Sequence, residues 1–166
     1  MITLFLGGAR SGKSELAERY ARRRGGPVTY LATGEASDPD MAARIAKHRS
    51  RRPAHWSTVE CGAELVAALG DARGTVLVDA LGTWLAQLED FEVEAETFCR
   101  MLRGRPEPTI LVSDEVGMGV HPATARGRDF RDALGALNRE VSAVADEVFL
   151  VVAGRTLALA SVDDRA

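Results

Sequence analysis

Gly7-Gly8-Ala9-Arg10-Ser11-Gly12-Lys13-Ser14 has the spacing G-x-x-x-x-G-K-[ST], and that spacing suits polyphosphate chemistry. Glycines let the main chain curl until its N–H groups converge on one anion. A helix starting at the loop turns its positive dipole end toward the same point. In that arrangement Lys13 bridges the β- and γ-phosphates, and the Ser14 hydroxyl holds Mg²⁺. Average residue usage gives this pattern by chance on the order of once in a hundred chains of this length or less.

A phosphate loop works with a carboxylate near its magnesium. Asp79 closes the apolar run Thr75-Val76-Leu77-Val78 as such an acid would; the other reading is a strand-ending aspartate that caps the next helix. The segment from Asp40 to Pro53 is the unusual part of the chain, with Arg44, Lys47, Arg49, Arg51 and Arg52 surrounding His48 within nine positions. Helical spacing puts Met41 and Ile45 on one face and Arg44 and His48 on another. A neutral imidazole can attack phosphorus, and guanidinium groups neutralise the charge that develops on the transferred group and on departing pyrophosphate. From residue chemistry alone, a solvated basic helix face is the competing reading. His55 and His121 have no partner at metal-ligand spacing and read as surface or satisfied core histidines.

These residues need a scaffold that gathers them at one edge. Strand-like runs at Ile2–Leu6, Val28–Leu31, Thr75–Val78, Thr109–Val112 and Val148–Val152 alternate with helical stretches at Lys13–Arg24, Asp40–His48, Leu81–Leu88 and Arg128–Ala145. This alternation predicts an α/β fold, P-loop NTPase-like, with a mostly parallel sheet flanked by helices. The strands at 75–78 and 109–112, continuously apolar or β-branched, predict a sheet covered on both faces, with ligands at the strand C-termini. Gly25-Gly26-Pro27 ends the first helix, and Ser37-Asp38-Pro39 supplies a cap and first-turn proline for the next. Glu89 to Glu96 reads as a solvated helix face. Glu115-Val116-Gly117-Met118-Gly119 reads as a substrate-side loop on the ligand edge, or else as a plain glycine turn.

The chain has 166 residues, 46% of them hydrophobic, enough for one domain over 1–166 and too few for two large ones. A formal net charge of -3 supplies no global field for nucleic acid or an anionic membrane, so an anion site has to be local. Two lysines stand against 19 arginines, and Lys13 suits a compact point charge. Cys61 and Cys99 fit no disulfide scaffold and point to a reducing compartment. The apolar opening is too short to span a bilayer and has no basic segment before it, so a cytoplasmic protein is expected.

From end to end, the chain resembles the bifunctional adenosylcobinamide kinase/adenosylcobinamide-phosphate guanylyltransferase family. The resemblance rests on Gly7 to Ser14, Val28-Thr29-Tyr30-Leu31-Ala32-Thr33, Met41-Ala42-Ala43-Arg44-Ile45 with His48, Arg52-Pro53 and Trp56, and Thr58-Val59-Glu60. It continues through Ser113 to Gly119, Phe130-Arg131-Asp132, Ala145-Asp146-Glu147-Val148 and Val151-Val152-Ala153-Gly154. The resemblance implies a kinase that phosphorylates the aminopropanol hydroxyl of adenosylcobinamide with ATP or GTP. It further implies a guanylyltransferase in which His48 takes GMP from GTP as a phosphoramidate and passes it to the corrinoid phosphate, giving adenosyl-GDP-cobinamide. Lys13 and His48 would be the catalytic residues. Gly7, Gly8, Ala9, Arg10, Ser11, Gly12, Lys13, Ser14, Ala32, Thr33, Gly34, Arg49, Ser50, Arg51, Arg52, Glu60 and Asp79 would bind nucleotide. Ser14 and Asp79 would hold Mg²⁺. A carboxylate can accept from guanine N1–H and the N2 amino group, and the residues leave that role open between Glu60 and Asp79. A homotrimer is also implied.

Three positions depart from the family pattern. Asp79-Ala80-Leu81-Gly82-Thr83-Trp84 replaces a more usual Asp-Cys-Leu-Thr-Leu-Trp, which removes a hydroxyl at 82 and leaves open whether Thr83 replaces it. Asp114 stands where asparagine is common, and His121 occupies a usually apolar site. Loss of one of the two reactions is compatible with these changes. The competing functional readings are a P-loop kinase of another small alcohol without covalent guanylylation, and a nucleotide-binding regulatory module.

Overall fold

Period-two side-chain alternation divides the strands between two cores. In the computed structural model, which describes residues 1–34, Ala43, Ala46, Arg49 and 52–161, β1 (Ile2–Gly7) is buried throughout. Leu4 and Leu6 face one core and Phe5 the other. The same alternation runs through β2 (Val28–Ala32), β4 (Thr75–Asp79), β5 (Thr109–Asp114) and β6 (Glu147–Val152), with Leu31, Val78, Leu111 and Val148 on the first face and Tyr30, Leu77, Val112 and Val151 on the second. This double-faced burial is the one the apolar runs predict.

With β3 (Ser57–Glu60) and β7 (Arg155–Ala158), the sheet has seven strands in the order β3-β2-β4-β5-β1-β6-β7. All neighbours are parallel except β6 and β7, which form an antiparallel pair. On one face lie α2 (Leu65–Asp71), α3 (Leu81–Leu85), α4 (Ala95–Gly104) and α5 (Ala125–Ser142), packing Leu65, Trp84, Phe98 and Leu137. On the other lies α1 (Lys13–Arg24), which approaches the sheet through Ala17 and Ala21. β1 and β5 are neighbours whose following helices leave on opposite faces. The C-terminal edge between them, where Gly7 and Asp114 are register partners, is therefore the switch point where α/β sheets bind ligands.

Several expectations are corrected. The edge strands β3 and β7 were not predicted; all their residues are exposed, Val59 and Leu157 included, so neither carries the buried apolar run that marks the central strands. Helices α2 and α4 were missed as well. The helix expected over Leu81–Leu88 stops at Leu85, and that expected over Arg128–Ala145 starts at Ala125, because the Thr124 hydroxyl accepts from Gly127 N–H and caps it there. Glu89 to Glu96 is not one helix face. Asp90 and Phe91 take φ of 49° and 59°, which a helix cannot accommodate, and Phe91 turns inward against Phe130. The helix expected over Asp40–His48 and its Ser37-Asp38-Pro39 start lie outside the described residues, apart from helical Ala43 and Ala46; Arg49, one residue past that stretch, is helical too.

Candidate active site

The loop from Gly7 to Ser14 joins β1 to α1 as its spacing requires. A Cβ on Gly7 would stand 2.6 Å from Ser11 Oγ and 2.7 Å from the Val151 carbonyl, so only glycine fits there. Gly12 adopts φ of 93°, and Arg10 is held at φ of 58°, a left-handed conformation that non-glycine residues adopt at a cost. The loop is closed by Ser11 N–H donating to the Gly8 carbonyl at 3.2 Å, and by Gly154 N–H, from the β6–β7 turn, donating to the Ser11 carbonyl at 2.8 Å. Gly12 at the N-cap of α1 has no side chain to cap the first turn, which leaves the amides that a helix start cannot satisfy internally to an anion.

Lys13 is buried. Its ammonium donates to the Gly8 carbonyl at 3.3 Å and forms an ion pair with Asp114 Oδ1 at 2.6 Å. Ser14 Oγ donates to Asp79 Oδ1 at 2.9 Å. The expected magnesium pair is thus within hydrogen-bond reach across 65 residues of sequence. Hydroxyl and carboxylate oxygens are the hard donors that Mg²⁺ takes, with substrate phosphates and waters completing its shell. No group of three or more His, Cys, Asp or Glu able to hold a metal occurs among the described residues.

The second oxygen of Asp79 is also engaged. Tyr30 Oη donates to Asp79 Oδ2, and the Arg52 guanidinium lies over the Tyr30 ring, 3.4 Å from its centroid. Burial, with the facing Asp79 carboxylate, pushes the Tyr30 phenol far above its ordinary range, so it remains a neutral donor. Arg52 also reaches Thr58 Oγ1 at 3.3 Å. The end of the basic segment is thereby tied through one aromatic ring to the acid at the end of β4. Sequence reasoning placed Tyr30 only in a strand; the burial of a lone tyrosine in an apolar alternation was the signal that its hydroxyl needed a partner.

Tyr30→Phe is expected to cost roughly 1–2 kcal/mol at neutral pH, since a bond to a charged acceptor is lost. The folded-state pKa of Tyr30 is raised above the ordinary phenol value of about 10. Its contribution to stability is therefore complete below about pH 10 and is lost as pH rises above that value. Denaturant midpoints measured from pH 7 to 11 should fall more steeply in the parent than in the variant; parallel curves would contradict the assignment.

Ala32, Thr33 and Gly34 follow β2 onto the same edge. Thr33 is fully buried and exchanges hydrogen bonds with Ala80, donating to its carbonyl at 2.8 Å and accepting from its N–H at 2.9 Å. Thr83 Oγ1 meets both groups, and Gln87 Nε2 donates to the Thr33 and Thr83 carbonyls at 2.5 and 2.7 Å. Thr83 and Gln87 therefore brace the loops after β2 and β4, a role not read from sequence. Glu60 ends β3 level with Asp79 across Ala32, and it pairs with Arg49. His48, Ser50 and Arg51 lie outside the described residues. His55 and His121 are both exposed, and His121 Nδ1 lies 2.9 Å from an Arg131 nitrogen. Glu115 Oε1 accepts from Gly117 and Met118 N–H at 2.6 and 3.2 Å, which folds the loop after β5 on itself beside the phosphate loop.

Residues 3–159 match the family described as cobinamide kinase/cobinamide phosphate guanyltransferase. The bifunctional adenosylcobalamin biosynthesis protein CobP of Pseudomonas aeruginosa is 42% identical over 168 residues, covering 96% of this chain and 97% of its own length. CobU of Escherichia coli, described in the same words, is 35% identical over 176 residues, covering 93% and 97%. The chain belongs to the cobinamide kinase/cobinamide phosphate guanyltransferase family. It is accordingly a transferase of cobalamin biosynthesis with a nucleotide-binding P-loop. Among solved structures, the RadB recombinase aligns at 15% identity with a TM-score of 0.47, covering 90% of this chain and 73% of that one. Among the described residues, no helix is long and apolar enough to cross a membrane.

In this family member, the two departures at 82 and 114 meet in space. A Cβ on Gly82 would stand 2.6 Å from Asp114 Oδ2. The missing side chain at 82 is where the Asp114 carboxylate sits. Thr83, beside it, is turned instead to Thr33 and Ala80.

Proposed function

We propose that one domain spanning residues 1–166 carries out both reactions, phosphorylating the aminopropanol hydroxyl of adenosylcobinamide and then guanylylating the product. The observation that carries this reading is the joining of Lys13, Ser14 and Asp79 at one sheet edge, with the end of the basic segment attached to the same edge through Arg52, Tyr30 and Asp79. Gly7 to Ser14 cradle the triphosphate of ATP or GTP. Lys13 neutralises charge on its outer phosphates. The corrinoid hydroxyl attacks the γ-phosphorus in line and gives up its proton to solvent, and the bond to the β-phosphate oxygen breaks so that the nucleoside diphosphate leaves with the electron pair. Ser14 and Asp79 would hold Mg²⁺, which when bound neutralises phosphate charge and orients the chain of phosphates.

For guanylyl transfer, an imidazole nitrogen of His48 attacks the α-phosphorus of GTP. A P–N bond forms, the bond to the β-phosphate oxygen breaks, and pyrophosphate leaves with the electron pair. Arg49, Arg51 and Arg52 lower the cost of that charge. A phosphate oxygen of the corrinoid then attacks the same phosphorus and frees the imidazole. Asp79 has its oxygens engaged by Ser14 and the buried Tyr30, whereas the Glu60 side chain is 60% exposed and pairs with an Arg49 that is itself 62% exposed. That contrast favours Glu60 as the guanine-reading carboxylate, with Ala32, Thr33, Gly34 and Ser50 beside the nucleotide. A cytoplasmic homotrimer belongs to the same reading.

Incubation with GTP labelled at the α-phosphorus should leave acid-labile, alkali-stable label on the wild-type protein and none on His48→Ala. The variant should retain phosphorylation of the corrinoid alcohol. Wild type without label, or equal label on the variant, would remove the covalent step. Turnover without label is the signature of a kinase of a small alcohol, and nucleotide binding without transfer to any alcohol that of a regulatory module.

A further inference from the structure

Lys13 is one of only two lysines in the chain, and its partner is unusual for a residue meant to hold phosphate. Asp114 Oδ1 lies 2.6 Å from Nζ, with side-chain exposures of 11% for Lys13 and 32% for Asp114. The aspartate's main chain is anchored on both sides. Its carbonyl accepts from Asn138 Nδ2 at 3.0 Å, and the next N–H, of Glu115, donates to the Gly7 carbonyl at 3.0 Å. The backbone is thus fixed to α5 and to the start of the phosphate loop, so the pairing changes through movement of the two side chains. Gly82 provides the room for the outer oxygen, Oδ2, where any Cβ would stand 2.6 Å away.

An ammonium has three hydrogens and strongly prefers charged acceptors. Here one is directed to a carboxylate and another to the Gly8 carbonyl. Incoming β- and γ-phosphates need the same hydrogens, and the carboxylate repels them across the same few ångströms.

We propose that Asp114 sets nucleotide affinity from below: its carboxylate competes with the triphosphate for the Lys13 ammonium, and binding transfers the ammonium from carboxylate to phosphate. No covalent bond changes in this exchange. It rests on the reading that the Gly7–Ser14 loop binds triphosphate. Gly82 belongs to the device, since its missing side chain is what lets the carboxylate lie beside the lysine.

Asp114→Asn removes the charge with little change of shape and leaves the main-chain bonds to Asn138 and Gly7 in place. Calorimetric titration with magnesium-free ATP, and separately with inorganic tripolyphosphate, should show about tenfold tighter binding by the variant, the size expected for one lost charge-assisted competitor. AMP, which lacks the phosphates Lys13 would reach, should gain little. A second readout separates competition from simple repulsion. With so few lysines, acetylation by acetic anhydride followed by peptide mass analysis reports Lys13 directly. Its acetylation should be several-fold faster in the variant, and triphosphate should suppress it in both proteins. Melting temperature confirms folding, and Asp114→Ser provides the same comparison if the amide is not accommodated. Equal or weaker ATP binding by a folded variant overturns the proposal, and shows that Asp114 positions Lys13 instead of competing for it. Failure of the wild-type protein to bind ATP or GTP at all counts against the triphosphate reading of the loop.

Discussion

Lys13→Ala is expected to lower corrinoid phosphorylation by roughly 10²–10³ in kcat, the usual cost of removing one preorganised group that meets charge in the transition state. The ammonium is buried, 2.6 Å from Asp114 and 3.3 Å from the Gly8 carbonyl, so it already lies at the loop that receives the phosphates and needs only to exchange the carboxylate for phosphate oxygens. Truncation does more than delete a positive charge. It leaves the Asp114 carboxylate facing the phosphates with no counter-charge, which adds repulsion to the loss. The double variant Lys13→Ala/Asp114→Asn should therefore recover part of the nucleotide affinity lost in Lys13→Ala, while kcat stays low. Steady-state phosphorylation of the corrinoid alcohol, with nucleotide affinity measured separately, distinguishes the two effects. A kcat within threefold of wild type would show that Lys13 does not contact the transferring group.

The largest stability loss is expected away from the site, at Arg105. Its side chain is only 8% exposed. One nitrogen donates to the Leu69 and Ala72 carbonyls at 2.8 and 3.0 Å, a second to the Gly74 carbonyl at 3.1 Å, and Nε to Thr109 Oγ1 at 3.1 Å. Those carbonyls are at the end of α2 and in the turn into β4, so this one guanidinium supplies donors that the helix terminus lacks. Burial lowers the Arg105 pKa from its usual value, with Glu107 at 3.8 Å opposing. Arg105→Ala should cost roughly 3 kcal/mol, since several partly buried acceptors lose a charged donor together. In a chain of this size that corresponds to a fall of roughly 6–12 °C in Tm. Arg105→Lys should recover only part, because an ammonium cannot span the three carbonyls as a planar fork does. A change under 1 kcal/mol in chemical denaturation would rule out this role.

Legibility in sequence followed the range of the forces involved. The phosphate loop was readable because its glycines are required by local geometry: Gly7 has backbone and Ser11 against it, and Gly12 needs positive φ. The central strands were readable because burial on two faces leaves an unbroken apolar run, as in Thr75–Val78. The edge strands β3 and β7 were not, since each is four residues long, exposed throughout, and mixes polar with apolar residues. The break at Asp90 and Phe91 escaped notice because acidic residues suit a helix surface, and the inward turn of Phe91 is decided by Phe130, some forty positions on.

By itself, then, the order of residues determined the alternating α/β architecture, the loop that receives phosphate and the acid that ends β4, all of which follow from local sterics and from periodicity. Only the folded chain decided who stands next to whom. Tyr30 meets Asp79, Arg52 lies over Tyr30, and Asp114 meets Lys13 beside Gly82, contacts made by strand order and register between segments far apart along the chain. Hydrogen bonds and ion pairs act over a few ångströms, so they respond to packing and leave no periodic trace in the sequence.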